Sequence, residues 1–229
     1  MTETAPSRTG TDTAPSRIGT DPIPSRLGAT PRGVRMPRDE RRAQLLVAAT
    51  DVFVNNGYHA TVMDDIAERA GVSKPVLYQH FPGKLDLYLA LLERHADELV
   101  RRVLGAIYET PDNAQRVGNA VGAYFDFVEV DGEAFRLVFE SDLRNQPEVQ
   151  AVVERTYTAC VQAIARAVVA DAGLDADRAW LIAVGVVGVS EHSARYWLTH
   201  RHKVPKEEAV ALTASLAWKG LAGFPLQHG

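Results

Sequence analysis

Thr61–Lys84 reads TVMDDIAERAGVSKPVLYQHFPGK, and its internal spacing decides the fold. Thr61 suits an N-cap, and Asp64 three residues on makes the pair resemble a capping box with Asp in place of Glu. Met63, Ile66, Ala67 and Ala70 recur at helical spacing and predict an inward face, with Asp64, Asp65, Glu68 and Arg69 outward. Gly71 suits the left-handed residue that closes a helix, and Val72 plugs the angle behind it. Ser73 then caps a second helix with Pro75 in its first turn, where the missing N–H costs nothing. That helix runs from Lys74 to about His80, with Leu77 and Phe81 inward. It spans barely two turns and is marginal without neighbouring helices to hold it. Two short helices around a glycine turn form a helix-turn-helix, whose second helix enters the major groove of duplex DNA.

Such a helix needs donors for phosphate oxygens and a few side chains for base edges. Lys74, Tyr78, His80 and Lys84 supply the donors. Ser73, Val76 and Gln79 share the outward face with Pro75; Gln suits adenine, and an apolar group suits a thymine methyl. Thr61 adds a hydroxyl and backbone N–H groups at the start of the preceding helix, an anion-favouring position. Arg32, Arg35 and Arg38 stand just before the first helix and are candidates to enter a minor groove.

The flanking sequence continues in the same idiom. Pro37 to Asn56 predicts a first helix closed by Asn56-Gly57, with Leu45, Leu46, Ala49, Val52 and Phe53 as its buried stripe. Lys84 opens a long amphipathic helix to about Ile107, on the order of 35 Å at 1.5 Å per residue, and the one element able to carry a shift from one end of the chain to the other. Further helices are expected at about 113–130, 132–141, 147–172, 176–199 and 205–221, separated by Gly, Pro and Asp clusters. The fold class is all-α with about nine helices. Residues 1–35 form an N-terminal arm, 36–83 a three-helix DNA-binding head, and 84–229 a ligand-binding and dimerisation body.

Leu45, Ala48, Ala49, Phe53, Gly57, Tyr58, Thr61, Ile66, Ala67, Ala70, Gly71, Val72, Ser73, Leu77, Tyr78, His80, Phe81, Lys84 and Leu87 together resemble the TetR family of bacterial transcription regulators. Lys74-Pro75-Val76 departs from the small residues many members carry there, which leaves the DNA sequence open. Met36–Arg42, Gly57–Ala60, Val72–Phe81 and Ala194–Leu198 extend the resemblance to the family's actinobacterial activators of fatty-acid synthesis. That resemblance implies a long-chain acyl-CoA effector and a fatty-acid synthase promoter as target. The commoner behaviour of the family is the alternative: a repressor of efflux or catabolic genes, released by a drug-like inducer.

A chain of 229 residues, 46% hydrophobic, is long enough for a small head and a larger body. Its formal net charge of −4 excludes a general polyanion binder, so DNA affinity must come from a local basic face. A single cysteine, Cys160, excludes an intramolecular disulfide and fits a reducing compartment; inside an apolar helical run it reads as core rather than as a redox sensor. No apolar run is long enough to span a membrane and the N-terminus lacks an apolar signal region, so a cytoplasmic location without membrane contact is expected. The arm repeats Pro-Ser-Arg at residues 6–8, 15–17 and 24–26, and its proline and glycine content argues against a packed core.

In the body, Leu99, Val103 and Ile107, then Val117, Val121, Tyr124, Phe125 and Val128 with Phe127 on another side, and then Phe135, Leu137, Val138 and Phe139 are apolar. They serve as cavity lining for a long acyl chain or, as such stripes do more often, as solid core. Arg136 or Arg155 is a candidate to meet the ligand's phosphate, and either is alternatively a surface ion-pair residue. Val184, Val187 and Gly188 on one helix, and Leu212, Leu216 and Gly220 on the last, predict a dimer surface of small and apolar residues. A two-fold dimer would present two heads to a palindromic operator.

No catalytic residue is expected. Gly188–His192 lacks the second glycine of a nucleophile elbow, and Ser190 and His192 stand two apart on a helix, where they do not face each other. His200-Arg201-His202 completes no metal site. No resident cofactor and no metal are expected.

Overall fold

The computed structural model describes residues 36–130, 132, 136, 143, 145–200 and 203–220. The arm at 1–35, including Arg32 and Arg35, lies outside them, as does nearly all of the expected helix at 132–141 with Phe139. The described residues form eight helices and no strand: α1 (Arg38–Ala60), α2 (Met63–Arg69), α3 (Lys74–His80), α4 (Lys84–Tyr108), α5 (Asn113–Val130), α6 (Pro147–Ala172), α7 (Ala176–His200) and α8 (Lys206–Lys219).

Helix α1 buries Leu45, Leu46, Ala49, Val52 and Phe53, the stripe its periodicity predicts, against α2 and α4. Gly57 interrupts it with φ 73° and ψ 167°, a conformation essentially reserved for glycine, and one more turn leads to Ala60. The short α2 and α3 hold their shape by burying Met63, Ile66, Ala67, Ala70, Leu77 and Phe81. The junction between them is a Schellman motif. Gly71 sits at φ 65°, its N–H bonds to the Glu68 carbonyl at 3.0 Å, and the Val72 N–H bonds to the Ala67 carbonyl at 3.0 Å.

The start of α2 differs from expectation by one residue. Val62 is the N-cap, and its N–H donates to the Asp65 carboxylate at 3.3 Å, so Asp65 and not Asp64 closes the turn. Thr61 does not cap. It is fully buried (0% exposed), and its hydroxyl donates to the Gly57 carbonyl at 2.7 Å. The glycine break in α1 frees that carbonyl, and Thr61 satisfies it.

Helix α4 packs on α1 near its start and on α5 and α6 further along. Leu87, Tyr88, Leu91, Leu92, Ala96, Leu99, Val103 and Ile107 make one buried stripe along its whole length. The remaining core joins α5, α6 and α7, with α8 lying on α5 and α7. Of the three tryptophans, only Trp197 is buried, donating to the Val204 carbonyl at 2.9 Å and lying against Phe125; Trp180 and Trp218 are exposed. No described helix is long and apolar enough to cross a membrane.

Candidate DNA-reading surface and effector cavity

The outward face of α3 carries Ser73, Lys74, Pro75, Tyr78 and Gln79, all exposed, with Val76 and His80 half-buried. Leu77 points the other way and is fully buried, which locks the rotation of this seven-residue helix. Tyr78 keeps 41% of its surface exposed, so its ring lies open on this face. Ser73 is the N-cap by position, but its side chain makes no capping bond and stays available on the surface.

Basic groups gather at the far end of α3. The Arg42 guanidinium lies over the Phe81 ring, 4.3 Å from its centroid, and donates to the His80 carbonyl at 3.2 Å. Partial burial, then the charges of Arg38, Arg42 and Arg41, hold the His80 imidazole below its ordinary value. Arg38 is exposed at the first turn of α1, on the rim of this cluster. Lys74 sits in an ion pair with Asp64 at 2.7 Å, and that bond raises its pKa.

Two expected DNA contacts have other work. Thr61 is sealed inside, as above. The Lys84 ammonium donates to the carbonyls of Tyr58 and Thr61, each at 2.8 Å, and of His59 at 3.4 Å, and lies 4.4 Å over the Tyr58 ring. Three acceptors exhaust its three hydrogens. Lys84 therefore staples the start of α4 to the end of α1. Tyr58 stacks on Phe53 beside it, and Tyr88 meets both rings edge-on, at centroid distances of 5.1–5.9 Å. A sequence shows the charge of a lysine but not the carbonyls that the Gly57 break leaves waiting for it.

At the other end of α4 lies a cavity of about 250 Å³. Its wall consists of Ile107, Asn113, Arg116, Val117, Ala120, Ile164, Ala167, Val168, Leu174, Ile182, Val186 and Trp218. Ten of these twelve are apolar. Asn113 and Arg116 stand together, bonded at 3.2 Å, and Arg116 also donates to the Thr110 carbonyl at 2.8 Å. Of the residues expected to line a pocket, Ile107 and Val117 do so. Leu99, Val103, Val121, Tyr124 and Phe125 are fully buried and do not line this cavity. Tyr124 hydrogen-bonds the Cys160 thiol, which burial pushes up to about 11. Arg155 lies away from the cavity, 59% exposed and paired with Glu93 at 3.3 Å. The residues missed are Asn113, Arg116 and Ala120 on α5, Leu174 between α6 and α7, and the lining residues of α6 to α8; helical periodicity marks which side chains point inward but not which of them meet a void.

The small-residue faces of α7 and α8 are also revised. Val187 is buried within the subunit and Val184 is half-buried against its core. The outward stripe of α7 runs one register away, through Leu181, Gly185, Gly188, His192 and Tyr196. Leu212 and Leu216 are exposed on α8, and Gly220 ends that helix with φ 63°. Ser190 donates to the Val186 carbonyl at 2.7 Å and His192 meets the Gly188 carbonyl at 2.9 Å, so neither faces the other.

Residues 45–91 match the family described as bacterial regulatory proteins, tetR family, and residues 114–220 match the tetracyclin repressor-like C-terminal domain. The HTH-type transcriptional activator FasR of Mycolicibacterium smegmatis is 54% identical over 195 residues, covering 85% of this chain and 89% of that protein. A TetR-like transcriptional regulator from Rhodococcus sp. RHA1 superposes with a TM-score of 0.63 at 29% identity, covering 83% of this chain and all of the other. FadR from Bacillus subtilis, solved in complex with stearoyl-CoA, superposes with a TM-score of 0.64 at 20% identity, covering 78% and 98%, a likeness of fold.

Proposed function

The chain belongs to the tetR family of bacterial regulatory proteins and is a transcriptional regulator rather than an enzyme; from that premise we propose that it is a homodimeric activator of fatty-acid synthesis genes whose hold on DNA is set by a long-chain acyl-CoA. The observation that carries this reading is the position of the cavity. It lies against the C-terminal end of α4, and the N-terminal end of the same helix is stapled through Lys84 to α1. A ligand that moves Ile107 moves one end of a stiff rod about 35 Å long, and the other end carries the helix-turn-helix.

The chemistry of the wall supports a hydrocarbon occupant. Each buried methylene contributes about 0.8 kcal/mol, or roughly a fourfold gain in affinity, so binding should climb with chain length until the cavity is filled. A charged headgroup has no place among ten apolar residues. It stays outside, on the side where Asn113 and Arg116 stand. The structural neighbour that holds stearoyl-CoA has the same fold, and the relative named as an activator favours activation over repression.

Residues 36–83 act as the head, 84–229 as the body and 1–35 as an arm. Ser73, Lys74, Pro75, Val76, Tyr78, Gln79 and His80 read the major groove, and Arg38 reaches the flanking backbone. Helices α7 and α8 form the two-fold contact, which sets two heads on a palindromic operator in the cytoplasm. A mobility shift on the protein's own promoter and on a fatty-acid synthase promoter tests this, with acetyl-, octanoyl- and stearoyl-CoA. Only the longest chain should alter the shift. Indifference to every acyl-CoA, or release by a drug-like cation, overturns the effector; absence of any shift overturns the target.

A further inference from the structure

Two residues of the cavity wall, Ile182 and Trp218, are also on the surface of the subunit, 44% and 50% exposed. On that side the wall is one side chain thick. We propose that a second copy of this chain seats on this face and supplies the outer wall of the effector cavity, so that the site is complete only in the dimer. The proposal rests on the dimer and apolar-effector readings above and adds a coupling between them.

The face itself selects a second copy. Ala179–Ser190 on α7 and Ala209–Trp218 on α8 contain no charged residue on any side, including the side turned to water. Trp180, Leu181, Ile182, Leu212, Leu216 and Trp218 are exposed there. Aromatic enrichment with depleted charge marks the core of an interface, and six large exposed apolar side chains on two neighbouring helices signal a partner. Two copies of an uncharged face meet about a two-fold axis without like-charge repulsion. Gly185 and Gly188 allow close approach, since a Cβ built at either meets nothing within 4 Å inside the subunit. If the partner forms part of the wall, effector and partner bind with reciprocal coupling: each raises the affinity for the other.

Gly185→Arg separates the terms. The added side chain has room within the subunit and improves helix propensity, so the fold survives. Mass by sedimentation, helix content by circular dichroism, and titrations with stearoyl-CoA and with the apolar fluorophore anilinonaphthalene sulfonate are measured on the full chain. The variant should be a folded monomer that binds both probes at least tenfold more weakly than wild type. A folded monomer with undiminished affinity overturns the proposal. So does a dimer that survives both Gly185→Arg and the double variant Leu181→Glu with Leu212→Glu. A chain ending at Gly220 tests the competing cover, the last nine residues; loss of affinity there, with Gly185→Arg unaffected, also overturns it. If wild type ignores stearoyl-CoA but binds the fluorophore, the effector reading fails while the closure test still runs.

Discussion

The Lys84 ammonium donates to the Tyr58 carbonyl at 2.8 Å while lying over that same residue's ring, so one cation holds both the backbone and the side chain of Tyr58. In the free protein this makes Lys84 a bolt between α4 and α1, and we expect that role in place of a phosphate contact. Lys84→Met keeps the stem and removes the charge. It should lower folding stability by about 1–3 kcal/mol, since charge-assisted bonds to part-buried carbonyls are lost. Operator affinity should fall through misplacement of the head, with the dependence on salt unchanged. A phosphate contact would instead reduce the slope of log K against log salt by about 0.9, and that result would return Lys84 to the DNA interface.

Lys74 is the opposite case. It is exposed on α3 and tied to Asp64 of α2 at 2.7 Å. DNA phosphates compete with that carboxylate for one ammonium. Lys74→Ala should weaken binding and reduce the salt slope by about 0.9. Asp64→Asn should tighten binding, because it frees the lysine and removes a negative charge facing the backbone. Fluorescence anisotropy over a salt series reads both, and weaker binding by Asp64→Asn would remove Lys74 from the interface.

Much of the head was legible because its signals are local. Gly71 at a positive φ, Pro75 in the first turn of α3, and Leu77 with Phe81 inward follow from neighbours a few residues apart. The roles of Thr61 and Lys84 were not legible. They depend on carbonyls released by a helix break, and the break reaches a lysine 27 positions away (84 − 57) only through the fold. The cavity failed to show for a related reason. Val121 and Val117 look alike in sequence, one turn apart on α5, yet only Val117 lines this cavity, while Val121 is fully buried away from it. Tertiary packing decides that, and it involves residues of α6, α7 and α8.

Gly57 offers a test of backbone strain without steric clash. Its φ of 73° and ψ of 167° exclude other residues, although a Cβ there would meet nothing within 4 Å. Gly57→Ala should therefore cost about 1–3 kcal/mol for the conformation alone. Gly71, with φ 65° and the two bonds of a Schellman end, takes the left-handed conformation that asparagine tolerates. Gly71→Asn should be milder than Gly57→Asn in urea denaturation. Equal costs would mean that the two glycines are not distinguished by conformation.

His80 gives a pH dependence of defined sign. In the free protein burial and then Arg38, Arg42 and Arg41 disfavour its charged form. A DNA phosphate at the same place favours that form. Bound DNA then raises the pKa, a proton is taken up on binding, and affinity should rise as pH falls from about 7.5 to about 6. His80→Gln should flatten the profile. An unchanged profile in that variant would assign the proton elsewhere, His59 being the other histidine in the three-helix cluster.

The cavity can be filled without touching either end of α4. Ala167 of α6 lines it and lies partly buried beside the core. Ala167→Phe puts a ring into a space of about 250 Å³ that no side chain occupies. Filling a void restores dispersion contacts, so stability should hold or rise, in contrast to overpacking a solid core. Operator binding should persist, because α1 to α3 are untouched, while the response to stearoyl-CoA should vanish. Tyr124→Phe serves as the control: Tyr124 belongs to the core beside Cys160, so its change should leave the acyl-chain response in place. If Ala167→Phe keeps a full response, the acyl chain does not enter this cavity, and the route from ligand to DNA does not begin at Ile107.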